Sequence, residues 1–175
     1  MMILGIDGSL RSTGWAVIDL DFKLIDMGVF PTKKTNDEII DETIYAITRH
    51  LAEQVDHYDV KAAGIEDGFV GINKQTSLVL SRVRQGIVTG LQIHRPMQMV
   101  YLQPSKVRSL LMHKGSATKE EVANYIRFIY RNDPRIEALG PLNDGKGKSK
   151  NSDIYDAIAS ALATACQLNP KFSLK

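Results

Sequence analysis

Short apolar runs broken by Gly, Ser and acidic residues fill the first thirty positions, and longer stretches with an apolar residue every three or four positions dominate the rest. The runs at 2–7, 13–20 and 22–30 predict three strands, and the short links between them predict antiparallel hairpins. Gly8 and Ser9 mark the first turn, and Pro31 closes the section. Thr35 and Glu38 have capping-box spacing, and Ile39, Ile40, Ile44, Ile47, Leu51 and Val55 follow at helical intervals. Residues 60–66, VKAAGIE, predict a buried strand. Residues 75–93 predict a helix with Leu78, Val79, Val83, Ile87 and Leu91 on one face, stopped by Pro96. A strand at 98–102 comes next, then a helix opened by a second capping box, Thr118 and Glu121, and running to about Tyr130. A loop rich in Gly, Lys, Ser and Asn at 140–152 leads into a last helix at 153–167. Hairpin-linked strands followed by alternating helices and strands predict an α/β fold, one mixed sheet with helices packed on it.

Composition narrows this picture. The 175 residues suit a single domain spanning 1–175, with a core that needs no staples. The one cysteine, Cys166, excludes an internal disulfide framework and a cysteine-based zinc site. No stretch approaches the roughly 20 apolar residues of a membrane span. The start lacks the basic segment of a signal peptide. These features predict a reducing, cytoplasmic setting without membrane attachment. Net charge is only +2, but it is unevenly spread: residues 1–70 carry net −7 and residues 71–135 net +8. An acidic first part beside a basic middle suits acidic catalytic groups next to a polyanion-binding face, and a solvated surface accounts for it equally well.

Four acids are notable for where they stand. Asp7 and Glu66 each end an apolar strand, and Asp153 and Asp156 share one face at the start of the last helix. An acid at a strand end lies where an α/β sheet presents its functional edge. Singly, each has an ordinary explanation: a turn residue, an ion-pair partner, a helix N-terminal acid. Asp156 is the hardest to explain so, because it interrupts the apolar face of Ile154, Ala157 and Ile158. A converging set of carboxylates needs a counter-charge, and all-oxygen ligands suit Mg²⁺ or Mn²⁺. Two such ions suit phosphodiester hydrolysis.

The segments ILGIDGSLRSTGWAVI (3–18), AAGIEDGFVGINKQTS (62–77), LQPSKVRSLLMHKGSATKEEV (102–122) and SDIYDAIASALA (152–163) together resemble the RuvC family of Holliday-junction resolvases, within the ribonuclease H-like superfamily. The resemblance implies a ribonuclease H-like mixed sheet and a homodimer that resolves four-way or other branched DNA by paired symmetric nicks. It implies that Asp7, Glu66, Asp153 and Asp156 are the catalytic, metal-binding acids, holding Mg²⁺ at two positions with Mn²⁺ as substitute. It places Phe69 near the branch point, Lys106 and Lys119 on DNA, and the helix at 75–93 in the dimer interface. Lys146, Lys148 and Lys150, in a loop longer than the family's, add candidate DNA contacts. Gly8-Ser9 replaces the usual Pro-Gly, a departure expected of a divergent member, viral ones included.

Three other classes compete. Actin-like kinases and ATPases share the topology, but need two lobes around a nucleotide, and no second phosphate loop is present, so no nucleotide cofactor is expected. A non-catalytic nucleic-acid-binding module has no use for four acids at element ends. A ribonuclease H-like enzyme acting on RNA–DNA hybrids fits the carboxylates equally well, and is disfavoured by the Phe69 loop and the dimer-like helix.

Overall fold

The structure, a computed structural model, describes residues 1–32, 40–67, 74–142 and 151–169. Three strands come first, β1 (Met2–Asp7), β2 (Ser12–Asp19) and β3 (Leu24–Pro31). They are followed by α1 (Ile40–His57), β4 (Val60–Glu66), α2 (Lys74–His94) and β5 (Gln98–Leu102). Four further helices complete the chain: α3 (Pro104–Met112), α4 (Lys119–Ile129), α5 (Pro134–Leu139) and α6 (Ser152–Leu168). The five strands form one mixed sheet in the order β3-β2-β1-β4-β5. β1 pairs antiparallel with β2 and parallel with β4, and β4 pairs parallel with β5.

Each face of the sheet carries its own core. Leu4, Ile6, Val17, Ala63 and Ile65 pack beneath α1 and α2. Ile3, Ala16, Ile18 and Ala62 face the other way, toward α3, α4 and α6. Strands buried on both faces read as continuous apolar runs, and for this reason β1 and β4 fall on their expected residues. β5, an edge strand with Gln98 and Tyr101 exposed, also falls on its expected residues. α6 is the central helix of its layer: Ile154, Tyr155 and every residue from Ala157 to Cys166 is buried. It touches β1, β2 and β4 on one side and α3 and α4 on the other. Among the described residues no helix is long and apolar enough to cross a membrane.

Three expectations are corrected. The third strand starts at Leu24, because the Asp19 carboxylate accepts the backbone N–H groups of Asp21 and Lys23, each at 2.9 Å, and Phe22 takes a left-handed φ of 62°. That turn uses up the residues expected to open the strand. Leu78 is not on the buried face of α2: it is 67% exposed, whereas Val83, Ile87 and Leu91 are fully buried. Leu78 lies only one position from Val79, about 100° round the helix, so one stripe does not hold both. Finally, α3 and α5 have no counterpart in the hydrophobic pattern. Their buried residues are Val107 and Leu111 in one and Ile136 in the other, too few to establish a period. The Thr118–Glu121 capping box is present, with Glu121 N–H donating to Thr118 Oγ1 at 3.1 Å and Thr118 N–H to Glu121 Oε2 at 2.6 Å. The expected box at Thr35 and Glu38 lies outside the described residues.

Candidate active site

Asp7 and Glu66 stand at the same level on neighbouring strands. Ile6 pairs with Ile65 in the parallel ladder, and each acid follows directly. Because successive side chains alternate between faces, Ile6 and Ile65 enter the α1–α2 core and both acids fall on the α6 face.

α6 reaches this level by an unusually close approach. A Cβ built on Gly14, the ladder partner of Asp7, would lie 2.0 Å from the carbonyl oxygen of Asp153. One built on Gly5 would lie 2.1 Å from the carbonyl oxygen of Ala157. Only glycine at these two positions lets the helix backbone rest on the sheet, and the first turn of α6 then carries Asp153 and Asp156 to the ends of β1 and β4. That turn is pinned from the side. Asn151 Nδ2 donates to the Leu139 carbonyl at 2.8 Å, and Tyr155 Oη donates to the Gly140 carbonyl at 2.6 Å. Ser152 Oγ donates to Asp153 Oδ1 at 3.1 Å.

The electrostatics follow from the crowding. Burial pushes the Asp7 carboxyl up to about 8, and the carboxylates of Asp156, Asp153 and Glu66 push in the same direction. Burial and then Asp156 raise Glu66, while Lys119, Arg108 and Arg84 oppose the rise. Lys119 enters the cluster from the first turn of α4. Its ammonium donates to Asp156 Oδ2. Burial alone would lower the Lys119 pKa, but Asp156, Asp7 and Glu66 raise it on balance.

All four expected acids therefore converge. Lys119, expected on DNA, is paired to one of them. Lys106 is exposed on α3. Arg108, which the sequence reading passed over, is the α3 cation that opposes the charge of Glu66, and it lines one small cleft with Glu66, Lys119 and Asp156. Arg108 is two positions beyond Lys106, so their directions around the helix differ by about 200°. Each lies one position from the buried Val107, so helical spacing alone does not choose between them. Phe69, Lys146, Lys148 and Lys150 lie outside the described residues.

Acids at the ends of two adjacent central strands, faced by a helix bringing two more, on a five-stranded mixed sheet with three leading antiparallel strands, define a nuclease of the ribonuclease H-like fold. The family model described as "Crossover junction endodeoxyribonuclease RuvC" matches residues 3–164, and the chain belongs to this family. It is an endodeoxyribonuclease selective for DNA structure. The crossover junction endodeoxyribonuclease RuvC of Aliarcobacter butzleri is 30% identical over 172 residues, spanning 96% of this chain and 100% of its own. In fold, the chain is similar to Thermus thermophilus RuvC, with a TM-score of 0.74 at 21% identity over 99% of this chain and 98% of the other. It is also similar to T. thermophilus RuvC in complex with Holliday junction substrate, with a TM-score of 0.71 at 19% identity, covering 96% and 95%.

Nucleases of this family depend on metal in general. The donor chemistry here fits a hard divalent cation: four carboxylates, no soft ligand, and a buried Asp7 driven upward by its neighbours. Among the described residues, however, no three acidic, His or Cys side chains are gathered tightly enough to enclose an ion. The Lys119 ammonium on Asp156 supplies positive charge in that arrangement. The set fits the cation in charge and ligand type, with Asp156 having to exchange its lysine partner for the ion.

Proposed function

We propose that Asp7, Glu66, Asp153 and Asp156 are the catalytic centre with which this endonuclease hydrolyses phosphodiester bonds in four-way DNA junctions, one chain of a homodimer cutting each of two opposing strands. The observation that carries the reading is the convergence of all four carboxylates on the α6 face, with Asp7 raised to about 8 by burial and by the other three. So much negative charge repels a phosphodiester unless cations offset it. Mg²⁺, with Mn²⁺ as substitute, fits the donor set, and two such ions supply an activated water and a stabilised leaving oxygen. The chain's own part is to hold the four carboxylates rigidly, at strand ends and in a buried helix turn, and to keep cations at their rim. Lys119 and Arg108 neutralise the edge of the cluster and receive the phosphate backbone. Lys106 extends this basic surface, Lys146, Lys148 and Lys150 bind phosphate, and Phe69 stacks on a base at the branch point. α2 supplies the dimer face; Leu78 and Ile93 on it are 67% and 79% exposed, apolar surface suited to a second copy. A two-fold dimer matches the two-fold symmetry of the substrate. The reaction takes place in the cytoplasm of a bacterial or infected host cell.

The test is a panel of synthetic four-way, three-way, flap and linear duplex DNAs with Mg²⁺, Mn²⁺ or chelator. The expected result is paired symmetric nicks in the four-way substrate, with a divalent ion only, and two chains per junction by light scattering. Equal cutting of linear duplex, or cutting in chelator, overturns the reading. A single bound chain overturns the dimer. Binding should also weaken steeply with salt, and Arg108→Gln should make the log–log salt slope shallower by about one. An unchanged slope would show that Arg108 does not reach phosphate.

A further inference from the structure

The alternation that sends Glu66 to the α6 face sends its neighbour Asp67 to the opposite face, toward α2. Asp67 is the first residue beyond β4, where the ladder ends, yet it is tied twice. Its backbone N–H donates to the Leu102 carbonyl at 2.7 Å, extending the pairing with β5 by one residue. Its carboxylate accepts from Arg84 Nη1 on α2. The Arg84 side chain is only 17% exposed, and its neighbours along α2, Val83 and Ile87, are fully buried in the α1–α2 core. A second ion pair of α2, Arg82 with Asp41, is different in kind. Both its side chains are more than half exposed, and it joins α1 to α2 without touching β4.

At the last rung of a strand, few restraints keep the pleat in phase, and a slip of one residue turns every side chain to the other face. A charged contact on one face therefore decides where the preceding side chain points on the other. We propose that Arg84 is a positioning residue for cleavage: by holding Asp67 against α2, it locks the end of β4 and aims Glu66 across the sheet into the acid cluster. Arg84 does this from beneath the sheet, without touching DNA, since its guanidinium is engaged and largely covered. The proposal rests on Glu66 belonging to the catalytic centre. It goes further in making α2, the suggested dimer helix, the element on which the aim of that acid depends.

The experiment uses the full chain and a four-way junction, with Arg84→Met, Asp67→Ala, the double variant, Arg84→Lys and Glu66→Gln. Three quantities are read: the single-turnover cleavage rate at saturating junction with Mg²⁺, the junction Kd across salt, and Tm. A misplacement of about 1 Å costs on the order of 10²-fold in rate, so Arg84→Met and Asp67→Ala should each slow cleavage by roughly 10–100-fold. Their Kd and salt slope should stay as in the parent. The double variant should be no slower than the slower single one, because one contact is lost only once. Arg84→Lys, which keeps the charge and loses the fork, should recover part of the rate. Asp67→Ala, at a half-exposed side chain, keeps the test open even if Arg84→Met fails to fold. Full-rate cleavage by Asp67→Ala with an inactive Glu66→Gln overturns this proposal alone. A weaker Kd and shallower salt slope in Arg84→Met overturns it in favour of a phosphate contact. Full-rate cleavage by Glu66→Gln removes the catalytic centre itself, and this proposal with it.

Discussion

Asp7→Asn should bind a four-way junction as tightly as the parent chain and fail to cut it. Asp7 sits at the end of the central strand β1, with Glu66 beside it on β4 and Asp153 over its ladder partner Gly14. It is also the carboxyl that burial and the other three acids press upward most clearly, to about 8. Replacing it by the isosteric amide removes one negative charge and keeps the shape. Folding should be unharmed, since the substitution removes a repulsion that the native cluster sustains. The same change removes a ligand from a centre whose cations stabilise transition-state charge by several kcal/mol. At tenfold per 1.36 kcal/mol, cleavage should fall by at least about a thousandfold. DNA affinity rests on cations elsewhere and should hold or rise slightly. Single-turnover cleavage and junction binding, measured on the same preparation, decide it. Near-parental cutting by a folded Asp7→Asn protein would remove Asp7 from the mechanism.

The second large effect is expected where no chemistry occurs. In Gly5→Ala the new methyl would lie 2.1 Å from the Ala157 carbonyl oxygen, 2.4 Å from the Ala161 nitrogen and 2.7 Å from the Ala161 Cβ. Two of these are backbone atoms of a helix buried along nearly its whole length, so no flexible side chain can yield. α6 must move off the sheet, and overpacking on this scale costs about 3 kcal/mol. For a chain of this size that lowers Tm by roughly 6–12 °C. Asp153 and Asp156 ride on the same helix, so cleavage by the folded fraction should fall by on the order of 10²-fold, as expected of a shift near 1 Å. Calorimetry and cleavage at a temperature well below the melt separate the two losses. An unchanged Tm would mean that α6 does not rest on β1 at Gly5.

How far the sequence alone carries differs from element to element. β1 and β4 are legible because strands buried on both faces leave nearly uninterrupted apolar runs, and α6 because it is apolar almost all round. The four acids are legible by type and place: each ends or opens an element that is otherwise apolar. The third strand is misjudged by two residues because side-chain bonds from Asp19 reshape its turn, and such local bonds leave no periodic trace. Leu78 is misassigned because apolar character was read as burial. Its neighbour Val79 packs on the core, while Leu78 itself faces outward.

Local pattern thus determined which segments become strands and helices, that the fold is a mixed α/β sheet, and which acids were worth following. Convergence was decided only in three dimensions. Asp7 and Glu66 are 59 positions apart, and their side-by-side placement depends on β4 crossing over to pair with β1 in the register that sets Ile6 against Ile65. Asp153 and Asp156 join them because two glycines, at positions 5 and 14, admit a helix more than 130 residues further along the chain. The pairing of Lys119 with Asp156, the turning of Arg108 rather than Lys106 toward Glu66, and the grip of Arg84 on Asp67 are likewise tertiary. Each couples charges carried by segments distant in the chain. Such contacts have no period and no fixed spacing, because Coulombic attraction acts through space and the chain's covalent order does not encode it.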